Sequence, residues 1–364
     1  MTHPTTEPPS PVAHQSSPVA RGAVVLVASA SAVIVIAGIR GAAGLIGPAF
    51  LALVLTVTVH PAMAYVRRRG WPPWVGVAGG LVAVYLLVIG LTLAVVGSLA
   101  RFATLLQDYK DDAEELVDDI SSRLEGLGVG SEQQQTVASA FDLGKLTDVI
   151  LEILGSLASL SSNLFFLVAL LLFMVVDASS FPARLAAVRD HHGLVVDALS
   201  SFSRGTRRYL VVSTIFGLVV AIIDTVALAL LDVPAPLLWG LLAFITNYIP
   251  NIGFVIGLVP PAVLGLLEGG PDTMLLVIVI YCVVNFVIQS LIQPKFVGDA
   301  VGLSGTVTML SLVFWAWVLG AVGALMAIPL TLLAKALLVE ADPRARWLLP
   351  LLSGTAHDRS RDES

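Results

Sequence analysis

Apolar residues fill long stretches of this chain, and few charged residues interrupt them. Runs of about 20 apolar residues are long enough to cross a lipid bilayer as helices. Six stretches predict ordinary spans: residues 23–39, 45–59, 75–99, 164–176, 211–231 and 274–292. The pattern therefore predicts an all-α, polytopic transmembrane protein.

Two further apolar stretches, residues 236–267 and 302–338, are broken by Pro and Gly. The first would reach about 48 Å as one helix, against a hydrocarbon core of about 30 Å. Broken backbone at membrane depth is tolerated only inside protein or beside a wet cavity. We expect two broken helices or re-entrant hairpins, with eight full spans as the alternative. The residues expected to shape this backbone are Pro250, Gly253, Pro260, Gly320, Gly323 and Pro329.

The two broken stretches share a rough pattern. Ile252-Gly253 leads to Val259-Pro260 in the first, and residues 322–323 lead likewise to residues 328–329 in the second. Each stretch also follows a plain span. If both are hairpins, they enter from opposite sides, which is the inverted-repeat plan of many transporters, with the substrate site at the repeat interface.

Two polar inserts separate the spans. Residues 101–155 carry apolar positions every three or four residues opposite a row of acidic side chains, which predicts an amphipathic helical insert. Its acidic row is either a solvated face or a surface that collects cations. Residues 178–209 are basic and also amphipathic, as expected of a segment on the inner leaflet.

Composition and charge agree with a membrane protein. Hydrophobic residues make up 57% and charged residues 13% of the 364 positions, mean hydropathy is +0.90 and the formal net charge is −6. Arginines favour the cytoplasmic side of short loops, so residues 67–69, the basic insert and both termini are predicted inside and the acidic insert outside. The predicted regions are a disordered tail (1–20), spans 1–3 (21–100), the acidic extracytoplasmic insert (101–155), span 4 (156–177), the basic segment (178–209), a transport core (210–338) and a cytosolic tail (339–364).

Little in the sequence points to enzyme chemistry. Cys282 is the one cysteine, and the neighbouring His191 and His192 point in different directions on a helix, so they predict a surface pair. No phosphate-binding or hydrolase motif appears. We therefore predict no enzyme activity, cofactor, metal or nucleic-acid partner, and expect the basic clusters to contact anionic lipids.

Six polar residues in the apolar half are candidates for a substrate or ion pathway: Asp224, Asn247, Asn251, Asn285, Gln289 and Gln293. Asp224 lies within a span, where an ionisable residue costs at least about 2.5 kcal/mol; it either binds a proton or cation or packs one helix on another. Asn285, Gln289 and Gln293 lie four apart on one helix face, as a polar path or as interhelical hydrogen bonds. Asn247 and Asn251 flank Pro250, where a broken helix exposes backbone groups to a ligand.

Several motifs in fixed order resemble the autoinducer-2 exporter family of bacterial transporters. They are YIPNIG at 248–253 with Pro260 downstream, QPKFVG at 293–298, LSLVFWAW at 310–317, and GAVG at 320–323 followed by PLT at 329–331. A looser match, through His60-Pro61 and the basic loop, extends the likeness to about residues 41–338. Asp224 is not part of the family pattern.

The resemblance implies a multi-pass transporter of the bacterial inner membrane that forms a homo-oligomer, such as a pentamer. Some family members are linked to export of autoinducer-2 and others to sodium or lithium exchange for protons. The expected function is secondary transport of a small polar solute by alternating access. The alternatives are a sodium (lithium)/proton antiporter that uses Asp224, and a membrane scaffold that transports nothing.

Overall fold

The computed structural model describes residues 18–108, 122, 161–249, 252–293 and 302–353. Every regular element in these ranges is helical. The described ranges contain ten α-helices: α1 Pro18–Gly41, α2 Ala43–Arg68, α3 Pro73–Asp108, α4 Ser161–Ala178, α5 Phe181–Leu230, α6 Pro236–Thr246, α7 Ile252–Asn285, α8 Gly305–Leu325, α9 Ala327–Lys335 and α10 Leu349–Leu352.

Six of the described helices are long and apolar enough to cross a membrane: α1, α2, α3, α5, α7 with its extension, and α8. The chain is therefore an all-α multi-pass membrane protein, as the apolar pattern predicts. Helix α4 contains a shorter apolar segment, Phe166–Ala178. The predicted hairpin region at 302–338 contributes one of the six, because α8 alone has 21 residues.

Helices α3 and α5 continue across two predicted region boundaries, at residues 100–101 and 209–210. The third span continues without a break from the apolar residues into the polar ones as far as Asp108. The basic segment at 178–209 and the span that follows form one helix of 50 residues, interrupted by non-helical backbone only at His192. At about 75 Å this helix is far longer than a bilayer core, so its charged N-terminal part extends beyond the apolar layer.

The first broken stretch folds as a helical hairpin. Helix α6 ends at Thr246, the chain turns, and α7 begins at Ile252. A Cβ added at Gly257 would lie 3.6 Å from the Cα of Ala243, so the two arms run side by side about a centre near residue 250. Gly270, with φ of 74°, then separates the second arm from the rest of α7, because that backbone conformation strains residues with a Cβ.

The second broken stretch also turns back on itself. Gly320, with φ of 66°, interrupts α8, and α9 follows after Met326. The indole Nε1 of Trp315 in α8 donates a hydrogen bond of 3.0 Å to Oγ1 of Thr331 in α9. The first hairpin (α6 and residues 252–269) and the second hairpin (residues 305–319 and 321–335, on either side of Gly320) therefore both bring their arms into contact. Whether either is re-entrant stays a prediction.

Three apolar clusters hold the helices together. One joins α2 and the first half of α5 to the second hairpin through residues such as Phe202 and Ile328. Another joins the end of α3 and the last turns of α5 to the first hairpin, around Trp239 and Tyr281. A third packs α2 against α3 and α4. Helix α5 therefore contacts one hairpin with each of its halves.

Candidate functional site

A cluster of three side-chain amides lies where the first hairpin turns between α5 and α7. We call Asn247, Asn285 and Gln289 the amide cluster. The Gln289 Nε2 donates to Oδ1 of Asn247 at 3.0 Å and to Oδ1 of Asn285 at 2.7 Å. One amide group therefore joins the turn of the hairpin to α7.

Each asparagine is anchored in turn by a backbone carbonyl. Asn247 Nδ2 donates to the Ser213 carbonyl on α5 at 3.0 Å, and Asn285 Nδ2 donates to the Tyr281 carbonyl at 2.9 Å. These bonds fix the direction of both Oδ1 atoms toward Gln289. The cluster carries no formal charge, and its amides both donate and accept hydrogen bonds.

Gln289 lies in an irregular segment. Residues Phe286–Ile292, which continue α7, form a π-helix, in which backbone bonds reach one residue further than in an α-helix. Such wide turns are frequent at functional sites. The π-helix also changes the predicted polar face of Asn285, Gln289 and Gln293, because Gln293 no longer follows Gln289 by a regular α-helical turn. No side-chain hydrogen bond joins Gln293 to the cluster among the described residues.

A second group of polar side chains continues from the amide cluster along α5. The Tyr209 hydroxyl donates to the Tyr248 carbonyl at 3.1 Å, and the Tyr248 hydroxyl lies 2.7 Å from Oγ1 of Thr214. Tyr248 is the residue after Asn247, so the turn of the first hairpin is tied to α5 by two neighbouring side chains. The sequence patterns did not single out these three hydroxyls.

Asp224 lies on α5, beyond the amide cluster from Tyr209. Its side chain is fully buried, and neither carboxyl oxygen has a hydrogen-bond partner among the described residues. The Tyr281 hydroxyl, on a side chain 1% exposed, is equally without a described partner, and Tyr281 packs in one buried cluster with Leu228, one helical turn after Asp224. Tyr281 precedes Asn285 by four residues, so extending the Asn285–Gln289 spacing backward would have found it.

These groups together form the polar column: Tyr209, Ser213, Thr214, Asp224, Asn247, Tyr248, Tyr281, Asn285 and Gln289. Along α5 it covers about 22 Å from Tyr209 to Asp224, most of the thickness of a hydrocarbon core. The outward faces of the same helices are apolar, with Ile215, Ile222 and Phe286 more than half exposed. Within the column Tyr209, Ser213, Asp224, Tyr281 and Asn285 are buried, Asn247, Tyr248 and Gln289 are half-buried, and Thr214 is exposed. Polar side chains between apolar membrane helices are typical of a membrane pathway.

The structure joins three of the six predicted pathway residues by hydrogen bonds, Asn247, Asn285 and Gln289, whereas Asp224 lies apart from them on α5. Gln293 is described but lies outside the hydrogen-bonded set. Asn251 and the backbone-shaping candidate Pro250 lie outside the described residues. The Gln289 amide makes a hydrogen bond to Asn247 in the turn of the first hairpin and is also a polar group that a solute could contact. Its position therefore fits either interpretation of Asn285, Gln289 and Gln293, as a polar path or as interhelical hydrogen bonds.

Two of the candidate backbone-shaping glycines lie where a side chain would not fit. A Cβ at Gly253 would collide with the Thr246 carbonyl, and one at Gly323 would collide with the Trp315 carbonyl. Each glycine thus lets the second arm of its hairpin approach the first, at matching places in the two hairpins. Pro260 lies inside α7, and Pro329 is buried near the start of α9, where the first turn tolerates proline.

Comparison with known proteins shows which family this chain belongs to. The model of the AI-2E family of transporters matches residues 25–341. The chain belongs to the AI-2E transporter family. It is 31% identical over 304 residues to the AI-2 transport protein TqsA of Escherichia coli K12, covering 83% of this chain and 88% of TqsA. It is 29% identical over 344 residues to YhhT of the same organism, covering 93% and 97%.

The family match covers nearly all of the described helices, from α1 to the π-helical turn Ala336–Glu340 that follows α9. Both hairpins and the whole polar column therefore lie within it. Membership makes this chain a membrane transporter, in agreement with its apolar helices and its buried polar interior.

Proposed function

We propose that this AI-2E family member is a secondary transporter that moves a small polar solute across the bacterial inner membrane by alternating access. We place its solute site at the amide cluster. The observation that carries the proposal is the double hydrogen bond of Gln289, which links the turn of the first hairpin to α7 inside an apolar shell.

The chemistry of the cluster favours a neutral solute with hydroxyl or carbonyl groups. Three uncharged amides offer donors and acceptors but no counter-charge for an ion. A solute hydroxyl that replaces the Asn247–Gln289 bond exchanges one neutral hydrogen bond for another, at a net cost of about 1 kcal/mol or less. Such an exchange lets the turn of the hairpin separate from α7 without leaving buried amides unpaired.

The hairpin supplies the part that moves. Helix α6 has 11 residues, about 17 Å, too short to cross the bilayer alone. Its turn is held to α5 by Asn247 and Tyr248 and to α7 by Gln289. We infer that rearrangement of these bonds exposes the cluster first to one side of the membrane and then to the other.

Autoinducer-2 is the first solute to test, because the relative TqsA is an AI-2 transport protein. The full chain in proteoliposomes should release or accumulate autoinducer-2 faster than empty liposomes. Replacing Asn247 with Leu should reduce this flux at least about ten-fold, because it leaves the Ser213 carbonyl and the Gln289 amide without their partner, worth about 1–3 kcal/mol.

The matched control is Gln107→Leu, which removes an exposed amide on α3, away from the column. We expect its flux to equal that of the unmodified chain. Equal flux in the Asn247→Leu and Gln107→Leu proteins would contradict the placement of the site. No flux of autoinducer-2, with or without a proton gradient, would leave another solute or the scaffold role.

A second candidate, cation–proton antiport through Asp224, is favoured by the complete burial of that carboxyl group. The test is sodium flux in the same proteoliposomes. Sodium movement that is abolished by Asp224→Asn would favour the antiporter over the solute transporter.

A further inference from the structure

The Asp224–Tyr281 pair is the part of the column that a solute site of neutral amides does not explain. Asp224 is the one ionisable carboxyl group with no exposed surface among the described residues. An amide or a serine would pack two helices equally well at lower cost, since a carboxylate in this setting costs several kcal/mol.

Burial decides which form of the acid occupies this conformation. A carboxylate far from water and without a cation or hydrogen-bond donor is much less stable than the neutral acid. Among the described residues, no Lys, Arg or His forms an ion pair with Asp224. Burial therefore favours the neutral acid over the carboxylate in this arrangement.

The surroundings of Asp224 contain few other titratable groups. Helix α6, whose Gly240 packs against Ala221 and Thr225 of α5, contains none. Helix α7 presents Tyr281. The remaining titratable side chains described on α7, at the end of α3 and after α5 are all exposed: Arg101, Asp232, Glu268, Asp272 and Cys282.

The pair is joined to the solute site through one helical turn. Tyr281 packs in the same buried cluster as Leu228, one helical turn after Asp224 on α5, and its backbone carbonyl accepts the hydrogen bond from Asn285 that orients the amide cluster. Any shift of the helical turn from Tyr281 to Asn285 that opens the amide cluster also changes the distance between the Tyr281 hydroxyl and the Asp224 carboxyl group. Tyr281 is thus placed as a positioning residue between the two.

We propose that Asp224 is a proton-binding site that couples solute movement to protons. The acid is neutral in the closed arrangement without solute and loses its proton to water on one side when the hairpin opens there. It returns ionised together with the solute and takes up a proton from water on the opposite side, so that one proton crosses the membrane for each solute. The proposal rests on the proposed transporter function and supplies its coupling ion.

Infrared spectroscopy of the full chain in liposomes tests the proton directly, without any transport. A carbonyl band of a protonated carboxylic acid should be present at neutral pH, should vanish in Asp224→Asn, and should persist in the matched control Asp232→Asn. Asp232 is exposed in the loop after α5. Absence of a band that depends on Asp224 would overturn the proposal.

The phenol has its own readout. Tyr281→Phe should keep the Asp224 band but shift its frequency, because the acid loses a polar neighbour. An unshifted band would overturn the pairing of the two side chains. Asp224→Asn is close in shape to the neutral acid and leaves no charge to bury, so the variant should fold.

Flux measurements test the coupling. With one proton moved per solute, the equilibrium ratio of autoinducer-2 across the membrane should change about ten-fold per unit of imposed pH difference, the ratio that about 1.4 kcal/mol supports. In Asp224→Asn that response should disappear, while Asp232→Asn should keep it. A full response in Asp224→Asn would overturn the proposal and leave the transporter standing, whereas absent flux in the unmodified chain would contradict the transporter and leave the infrared result to decide the acid.

Discussion

The two hairpins share a backbone device but differ in chemistry. In both, a glycine lets the second arm contact a carbonyl of the first: Gly253 against Thr246, and Gly323 against Trp315. In the first hairpin the polar groups of the turn reach outward, to α5 and α7. In the second, the bond between Trp315 and Thr331 joins its own two arms.

This difference suggests separate roles for the two hairpins, a structural one for the second and a transport one for the first. The second hairpin satisfies its own polar groups and buries an apolar face against α2 and α5. The first depends on neighbouring helices for its hydrogen bonds, and those bonds must change if the hairpin moves. We therefore expect disturbance of the second hairpin to act on stability, and disturbance of the first to act mainly on transport.

The largest expected effect tests what the hairpins share. Gly253→Ala and Gly323→Ala each place a methyl group against backbone atoms, which cannot yield as a side chain does. We expect each to lower the free energy of unfolding by about 1–3 kcal/mol, measured by thermal unfolding of the purified chain in detergent.

The control for these variants is Gly90→Ala, in α3, where an added Cβ meets nothing within 4 Å. Its unfolding temperature should match or exceed that of the unmodified chain, since alanine favours helix over glycine. A stable Gly323→Ala protein beside an unstable Gly253→Ala protein would contradict the equivalence of the two turns.

The next effect tests what the hairpins do not share. Gln289→Leu removes the group that joins Asn247 to Asn285, and leaves two carbonyl oxygens without their donor. We expect autoinducer-2 flux per folded molecule to fall about ten-fold or more, corresponding to about 1–3 kcal/mol of lost hydrogen bonding.

Thr331→Val is the companion change in the second hairpin, where it removes the acceptor of the Trp315 indole. We expect a loss of about 1 kcal/mol in the free energy of unfolding and unchanged flux per folded molecule. If Thr331→Val reduced flux as strongly as Gln289→Leu, the functional difference between the hairpins would be wrong.

A smaller effect probes the position of Asn247 without changing any polar group. A Cβ at Gly217 would lie 2.8 Å from Nδ2 of Asn247, so Gly217→Ala displaces that side chain by a few tenths of an ångström. We expect a rise of about two- to ten-fold in the solute concentration for half-maximal flux, since one weakened hydrogen bond is worth about 0.5–1.5 kcal/mol. Gly193→Ala is the matched control, on the same helix with open space at its Cβ, and a similar rise there would trace the effect to helix α5 itself.

The sequence predicted much of this architecture because lipid imposes simple rules. Apolar runs located five of the six described helices that are long enough to cross a membrane, and Pro and Gly located the places where the chain turns. Asn247, Asn285 and Gln289 were identified because amides are costly in an apolar helix. The family resemblance, carried by motifs such as YIPNIG at residues 248–253, agrees with the family match.

What the sequence missed depends on contacts between distant segments. The hydroxyl of Tyr209 matters because the carbonyl of Tyr248 lies beside it, and no local pattern relates residues so far apart. The loss of Gln293 from the stripe follows from the π-helical turn, which residue spacing alone does not reveal. The continuity of α5 through residue 209 was missed because its charged first half looks like a separate surface segment.

The smallest expected effect concerns how the second hairpin is held to the rest of the chain. The Arg40 guanidinium, in the last turn of α1, lies 4.5 Å from the ring centroid of Trp317 in α8. Arg40→Ala should lower the free energy of unfolding by about 0.5–1 kcal/mol, the usual strength of an exposed cation–π contact, and leave flux unchanged. In the Arg40→Ala protein, Trp317→Leu should lower the free energy of unfolding by less than it does in the unmodified chain, because only the apolar contacts of the indole remain to be lost. If the two changes are additive in thermal unfolding, the contact contributes nothing, and α1 is held to the second hairpin by apolar packing alone.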